Sequence, residues 1–139
     1  MFSVNVLTYG NYPSLTSRCL ASILRAHTSK LVSDVRIGLN EVSDKTRAVV
    51  DAFAHNVGVP CYVYESESRK NVLKYPLMRR MLYDVERPIK ANRIMWFDDD
   101  SFINYEKMED WFPLVDSEWR SGPTIAMGSI YDIKYAWKP

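Results

Sequence analysis

Three adjacent carboxylates, Asp98, Asp99 and Asp100, directly follow the apolar residues 94–97. Adjacent carboxylates repel one another, so their position behind a strand of buried type indicates a cationic ligand. Carboxylate oxygens are the ligands that Mg²⁺ and Mn²⁺ prefer, and both ions commonly share oxygens with a substrate diphosphate. In an extended segment Asp98 and Asp100 project to one side and Asp99 to the other. The pattern therefore predicts a divalent metal site at Asp98 and Asp100, with a solvated acidic turn as the alternative.

A group of basic residues lies between the third predicted strand and the helix that follows it. Its members are Arg69, Lys70, Lys74, Arg79 and Arg80. Guanidinium and ammonium groups neutralise phosphates, so this group suits a diphosphate held by the metal. Arg79 and Arg80 project in different directions on a helix, so at least one belongs on the surface or in an ion pair with a nearby acid. Lys74, which precedes the predicted helix, is the better phosphate candidate.

The loop after the first strand offers groups that suit a nucleoside. It contains, in order, Thr8, Tyr9, Gly10, Asn11 and Tyr12. A hydroxyl, an amide, two aromatic rings and backbone donors around a glycine come together there, although a plain turn has the same composition. Gly10 stands alone in this loop, which excludes the glycine-rich phosphate loops of the Walker and dinucleotide-binding types.

Short apolar runs alternate with segments of helical period along the chain. Strands are predicted within residues 2–8, 35–39, 61–64, 93–97 and 124–133. Helices are predicted to begin at Pro13, after a Ser43 cap and at Pro76, with inner faces that include Leu15 and Val85, and a short helix interrupted by Pro113 is predicted to follow an Asn104 cap. This alternation predicts an α/β fold, a mostly parallel sheet covered by helices on both faces. In such sheets ligands bind beyond the carboxyl ends of the strands, so the loops at 9–12, 40–43, 65–74 and 98–101 should gather at one edge.

Composition defines the setting of these motifs. The 139 residues, of which 47% are hydrophobic, fit a single domain over residues 1–139. The formal charge of +1 gives no electrostatic footprint for nucleic acid or an anionic membrane surface. No apolar run reaches the roughly 18 residues of a transmembrane segment and no leader follows Met1, so a cytoplasmic location is expected. Cys19 and Cys61 have no metal-ligand spacing and are predicted to be small buried residues.

Four segments together resemble the nucleotide-sugar half of the GT-A glycosyltransferases of family two. These are residues 8–12, 38–41, 71–81 and 95–101, and the likeness extends over nearly the whole chain. The resemblance implies a Rossmann-like GT-A domain that transfers a sugar from a nucleoside diphosphate sugar, with a UDP-sugar favoured. The acceptor would be a hydroxyl of a glycan, lipid or protein, and the transfer would invert the anomeric centre. Mn²⁺ or Mg²⁺ would bridge the Asp-x-Asp motif and the diphosphate.

The same resemblance assigns roles to individual residues. Nucleotide-sugar contacts would come from Thr8, Tyr9, Gly10, Asn11, Tyr12, Asn40, Glu41, Asn71, Lys74, Asp98 and Asp99. Lys74 would face the diphosphate or the sugar, Asp98 would hold the ribose or a metal-bound water, and Asp100 would ligate the metal directly. Asp99 is a candidate catalytic residue that could replace either neighbour as a ligand, depending on the register of the motif.

Inverting transfer needs a general base near the acceptor hydroxyl, on the face opposite the leaving diphosphate. Relatives usually continue beyond the last predicted strand, where this base and the acceptor contacts are commonly found. Asp132, the only acid of the last strand region, is the candidate base by elimination. A homo-oligomer or a partner protein would compensate for a missing acceptor half. The alternative function is a non-catalytic or partner-dependent module that binds nucleotide sugar and metal.

Two other enzyme classes also place aspartates behind a strand. Phosphatases of the haloacid dehalogenase type carry a threonine two residues after their motif, where this chain has Phe102. Nucleotidyltransferases usually have a glycine-rich loop near the first strand, and the loop around Gly10 lacks one. The sequence therefore favours sugar transfer over both.

Overall fold

The computed structural model describes residues 1–28 and 30–121, and these form a parallel β-sheet with helices on both faces. The strands are β1 (Phe2–Tyr9), β2 (Val32–Asn40), β3 (Cys61–Glu65) and β4 (Arg93–Asp98). Their order in the sheet is β3-β2-β1-β4, and every pair is parallel. The predicted α/β fold with a parallel sheet is thereby confirmed. The strand predicted at 124–133 lies outside the described residues.

Helices connect the strands. They are α1 (Pro13–Ala26), α2 (Asp44–Asn56), α3 (Lys74–Leu82) and α4 (Trp111–Arg120), the last preceded by a short 3₁₀ helix (Met108–Asp110). Two predicted helix starts are confirmed: Pro13 lies in the first turn of α1, and the Ser43 side chain accepts a hydrogen bond from the Thr46 N–H at the start of α2. In the described part of the chain, no helix combines the length and the apolar character needed to cross a membrane.

Three helix boundaries differ from the prediction. Helix α3 begins at Lys74 rather than at Pro76, which is its third residue. The N–H groups of the first helical turn have no partner within the helix, so a proline, which lacks an N–H, is tolerated there. The helix ends at Leu82, so Val85 lies beyond it and is 91% exposed instead of buried. Asn104 caps neither the 3₁₀ helix nor α4, since Lys107 and Asp110 occupy those positions. Pro113 lies in the first turn of α4, where it is tolerated for the same reason as in α3.

One face of the sheet, here called the apolar face, packs on α1, α2 and α4. Alternate residues of β2, including Val35 and Ile37, point to this face and are fully buried. They pack with Ile23 of α1, Val50 of α2 and Phe112 of α4 in one hydrophobic cluster. This cluster is the main core of the described residues.

The opposite face of the sheet, here called the polar face, is covered by α3. The β2 residues that point there are Asp34, Arg36 and Gly38. A Cβ atom on Gly38 would lie 2.8 Å from Met81 Sδ and 2.9 Å from Leu77 Cδ2. The glycine therefore allows α3 to pack directly on the β2 backbone, which sets the position of the whole helix.

Candidate functional site

A cavity of about 350 Å³ opens at the carboxyl edge of the sheet. Its walls come from the ends of β1, β2 and β4 and from the segment that leads into α3. The lining residues are Leu7, Thr8, Tyr9, Asn40, Asn71, Leu73, Lys74, Asp98, Asp99 and Asp100. The structure thus brings together residues from all four loops that were predicted to gather at this edge, and eight of them are predicted site residues.

The three aspartates do not continue the strand. β4 ends at Asp98, and the Ser101 N–H donates to the Asp98 carbonyl at 2.9 Å, which closes a turn. The expected extended geometry of the triplet is therefore wrong. Asp98 and Asp100 are nevertheless exposed in the cavity while Asp99 is half-buried, so two carboxylates remain accessible to a ligand.

Asp99 points inward and connects three elements. Its carboxylate accepts a hydrogen bond from the Tyr9 N–H at 3.0 Å and contacts the Thr16 hydroxyl at 3.5 Å, and its own N–H donates to the Leu7 carbonyl at 3.0 Å. Burial raises the pKa of Asp99, and the hydrogen bond from Tyr9 opposes that rise. These contacts suit a residue that fixes the first loop and the start of α1 against the end of β4.

Lys74 and Asp98 form an ion pair within the cavity. The Lys74 ammonium lies 2.8 Å from each of the two Asp98 carboxylate oxygens, and both side chains are about half exposed. The hydrogen bond to Asp98 raises the pKa of Lys74. The predicted phosphate ligand and a predicted metal ligand therefore occupy one place and contact each other directly.

Two asparagine side chains hold the segment that precedes α3. Asn40, at the end of β2, accepts a hydrogen bond from the Val72 N–H at 2.9 Å and donates to the Asn71 side chain at 3.1 Å. Asn71 in turn accepts from the Leu73 N–H at 2.8 Å. Leu73 has a φ of 66°, a strained conformation that these contacts stabilise. The two amides thereby position Lys74 at the start of α3.

The first loop lines the cavity and also makes hydrogen bonds that hold neighbouring elements in place. Thr8 is buried, and its hydroxyl donates to the Gly38 carbonyl at 2.9 Å. Gly10 has a φ of +69° and its carbonyl accepts from the Ser43 N–H at 3.1 Å, which joins the loop to the start of α2. Tyr9 is 49% exposed at the cavity. Of this loop, Tyr9 presents the largest surface to a ligand.

The remaining predicted site residues stand apart from the cavity walls. Gly10, Asn11, Tyr12 and Glu41 are absent from its lining, and the last three are exposed. Asp132 lies outside the described residues, so its predicted role stays a prediction.

Polar residues of α1 that the sequence analysis missed hold the segment after β4. Ser22 accepts a hydrogen bond from the Ile103 N–H at 2.9 Å, and Cys19 Sγ contacts the Asp98 carbonyl at 3.7 Å. Thr16 and Ser22 are buried, whereas Leu15, predicted on this inner face, is 42% exposed. The sequence signal for these contacts was the three-residue spacing of Thr16, Cys19 and Ser22, which places them on one face of α1.

The two cysteines are free thiols, and the predicted burial is complete for Cys19 only. Cys19 is fully buried and Cys61 is partly buried. Burial raises the pKa of each thiol to about 12, so neither is a thiolate near neutral pH. Nucleophilic chemistry at this edge of the sheet therefore does not come from sulfur in the described residues.

A buried charge network, also missed from the sequence, positions the far end of α3. Arg36, which is 1% exposed, pairs with Asp34 at 2.7 Å and donates to the Tyr64 hydroxyl at 3.1 Å. It also donates to the carbonyls of Met81 at 2.7 Å and Arg87 at 2.5 Å. The signal was the charged pair at alternate positions in an otherwise apolar strand.

The donor chemistry of the cavity fits a divalent cation that retains other ligands. Asp98 and Asp100, which both line the cavity, offer hard carboxylate oxygens. Among residues 1–28 and 30–121, no cluster of three or more acidic, histidine or cysteine side chains is arranged as a metal site. An ion held by two carboxylates would complete its coordination with waters and phosphate oxygens, the usual arrangement for Mg²⁺.

Comparison with known proteins shows the fold. No protein-family model matches the chain, and no curated protein matches it. The chain is similar to a crystal structure of S. aureus TarS, a glycosyltransferase, with a TM-score of 0.58 and 15% identity over 86% of this chain and 20% of that one. A structure of TarS 1–349 gives a TM-score of 0.51 and 16% identity over 83% and 32%. This chain thus spans less than a third of either TarS chain, and its α/β fold is similar to that of the matched part of TarS.

Proposed function

We propose that this chain binds a nucleoside diphosphate sugar, with a UDP-sugar favoured, and transfers the sugar to an acceptor hydroxyl with inversion. The observation that carries the proposal is the cavity at the carboxyl edge of the sheet, where Asp98, Asp100 and Lys74 lie together. Carboxylates for a metal and an ammonium for a phosphate are the two charge types that a metal-bound diphosphate needs. The likeness in fold to a glycosyltransferase supports the same reaction class.

Asp100 and Asp98 would hold Mn²⁺ or Mg²⁺ in this site. The ion, when bound, would offset the negative charge that develops on the departing diphosphate. Lys74 and the backbone N–H groups at the start of α3, which have no side-chain cap, would bind phosphate oxygens. Tyr9 and the two cavity asparagines would meet the nucleoside.

The acceptor hydroxyl must lose its proton to a base on the face opposite the leaving group. Asp132 remains the candidate for that role. Asp99 is the other candidate catalytic residue, and its hydrogen bonds to Tyr9 and Thr16 favour a positioning role in the first loop. Asp99 would then act on donor binding through Tyr9 rather than on the proton transfer.

Calorimetric titration with UDP, with and without Mn²⁺, tests the binding part of the proposal. Asp100→Ala is expected to abolish the manganese-dependent gain in UDP affinity, because it removes one of the two exposed carboxylates of the cavity, and to leave the fold intact. Asp51→Ala is the matched control, since Asp51 is an exposed acid on α2. An unchanged manganese dependence in Asp100→Ala would contradict the proposed metal site.

Product analysis tests the chemical part. Sugar transfer releases a nucleoside diphosphate, nucleotidyl transfer releases pyrophosphate, and a phosphatase releases inorganic phosphate. Release of pyrophosphate or inorganic phosphate alone would therefore rule out glycosyl transfer.

A non-catalytic or partner-dependent nucleotide-sugar module is the second candidate. It needs only the donor-side groups Asp98, Asp100 and Lys74, which lie together in the cavity. Manganese-dependent UDP binding without sugar transfer or donor hydrolysis would establish that function instead.

A further inference from the structure

The Lys74 ammonium stands where a metal would contact Asp98. Its nitrogen lies 2.8 Å from both oxygens of the Asp98 carboxylate, so both oxygens are engaged by one cation. A Mg²⁺ ion would approach one of the same oxygens to about 2.0–2.1 Å. An ion bound to Asp98 would lie close to the Lys74 ammonium and be repelled by it, so each cation weakens the binding of the other to this carboxylate.

We propose that Lys74 and the metal ion compete for Asp98. A bound diphosphate would relieve this competition, because the Lys74 ammonium would then bind phosphate oxygens instead of Asp98. The inference rests on the proposed function, since it concerns the same site. Its consequence is that Mn²⁺ and a nucleoside diphosphate bind together far better than either binds alone. Lys74 is then a specificity-determining residue, which makes metal loading depend on the donor.

The geometry allows this exchange without movement of the backbone. The Lys74 side chain is half exposed and has a flexible four-carbon stem, so it can leave Asp98 by rotation alone. Its backbone is held by the contacts of Asn40 and Asn71 at one end of α3 and by Arg36 at the other. An exposed ion pair is weak, so a diphosphate with several charged oxygens outcompetes a single carboxylate for the ammonium.

The number of phosphate groups on the nucleotide should affect the coupling between metal and nucleotide for the same reason. A diphosphate can give one phosphate to the metal and leave oxygens for Lys74, whereas a monophosphate must serve both cations with a single group. We therefore expect the coupling between Mn²⁺ and nucleotide to be stronger for UDP than for UMP.

Three titrations of the full 139-residue chain measure this coupling: Mn²⁺ alone, UDP alone, and UDP with saturating Mn²⁺. Free Mn²⁺ is followed by electron paramagnetic resonance and UDP binding by calorimetry. Lys74→Met, which keeps the stem and removes the charge, should bind Mn²⁺ alone about threefold or more tightly, because the competing cation is gone. The same variant should bind UDP more weakly than wild type while its affinity for uridine is unchanged.

Two further variants make the result specific. Lys90→Met removes an exposed lysine away from the cavity and should change none of the three affinities. Adding Asp100→Asn to Lys74→Met should remove the gained Mn²⁺ affinity, which ties the gain to the aspartate turn. Retention of the gain in that double variant would mean that the ion binds elsewhere, and would overturn the inference.

The outcomes separate the inference from the proposed function. If wild type shows no manganese-dependent UDP binding, the proposed function fails and the inference falls with it. If wild type binds Mn²⁺ and UDP together but Lys74→Met binds Mn²⁺ alone no better than wild type, competition at Asp98 is refuted while the proposed function stands.

Discussion

The two faces of the sheet are stabilised by different interactions, and two adjacent residues of β2 show the contrast. Ile37 and Arg36 are both almost fully buried, at 0% and 1% exposure. Ile37 packs in the hydrophobic cluster of the apolar face. Arg36 lies on the polar face, where its guanidinium bonds to Asp34, to Tyr64 and to two backbone carbonyls.

The difference bears on the candidate site. Hydrophobic burial is non-directional, so the apolar face stabilises the domain without requiring one orientation of each helix. Hydrogen bonds to a buried guanidinium are directional, and a buried charge that loses a partner is costly. The polar face therefore holds α3, and with it Lys74, in one position at the cavity.

The largest expected effect comes from breaking the buried charge network. Arg36→Met should lower the free energy of unfolding by about 3–5 kcal/mol, because it leaves the Asp34 carboxylate buried without its partner. The neighbouring change Ile37→Val, on the apolar face, should cost only about 0.5–1.5 kcal/mol. Urea unfolding of both variants at pH 7 measures the difference, and equal losses would contradict the contrast between the faces.

A double variant identifies the cause of that loss. Asp34→Leu combined with Arg36→Met replaces the charged pair with apolar side chains, so it should be more stable than Arg36→Met alone. A double variant that is less stable than the single one would show that the carbonyl and hydroxyl bonds of Arg36, rather than the unpaired carboxylate, dominate.

An intermediate effect is expected where α3 touches β2. Gly38→Ala would place a Cβ within 3.0 Å of the side chains of Met81, Leu77 and Leu7, so α3 must shift or repack. The free energy of unfolding should fall by about 1–3 kcal/mol. Thermal and urea unfolding measure the loss, and shortening Met81 to alanine in the same chain should make the two costs less than additive. Additive costs would mean that the two residues are not in effective contact.

The smallest effect concerns an ion pair that is neither fully buried nor fully exposed. Arg47 of α2 donates to both carboxylate oxygens of Glu65, at 2.8 and 2.5 Å, and this contact lowers the pKa of Glu65 below its ordinary value of 4.5. The stability from a lowered carboxylate pKa is present above that ordinary value and is lost as the pH falls through the folded-state pKa. Arg47→Met should cost about 1 kcal/mol at pH 7.

The pH dependence is the sharper measurement for this pair. The difference in unfolding free energy between wild type and Arg47→Met should shrink as the pH falls below 4.5, since Glu65 becomes protonated in both. Arg25→Met on α1 provides a control without a described acidic partner. A difference that stays constant down to pH 3 would assign the loss to packing of the arginine stem instead.

Local patterns predicted the parts of this molecule that depend on neighbours in sequence. Ser43 was identified as a helix cap because its side chain acts three residues ahead, and Pro13 as a helix start because its φ suits the first turn. Helix α3 was placed two residues late, since Pro76 is tolerated inside the first turn as well as at its start. The inner faces of the helices were less accurate, because Thr16 and Ser22 are buried by partners that lie far away in the chain.

The residues that form the candidate site were predicted better than the contacts between them. The loops that follow parallel strands must meet at one edge, which is why Asn40, Asn71, Lys74 and the aspartates were grouped correctly. The sequence did not show which of these residues contact one another. The pairing of Lys74 with Asp98, and the inward turn of Asp99, depend on how far α3 and the first loop stand from the end of β4.

Sequence alone determined the alternation of strands and helices, the parallel sheet that follows from it, and the edge at which polar loops collect, because these depend on periodicity and chain direction. Tertiary structure decided which carboxylate faces the cavity, which one braces the first loop, and which buried charge holds α3. Those choices depend on distances between residues that are 24 to 90 positions apart, such as Lys74 with Asp98 and Tyr9 with Asp99. No local pattern encodes them, since each is set by the packing of whole elements against the sheet.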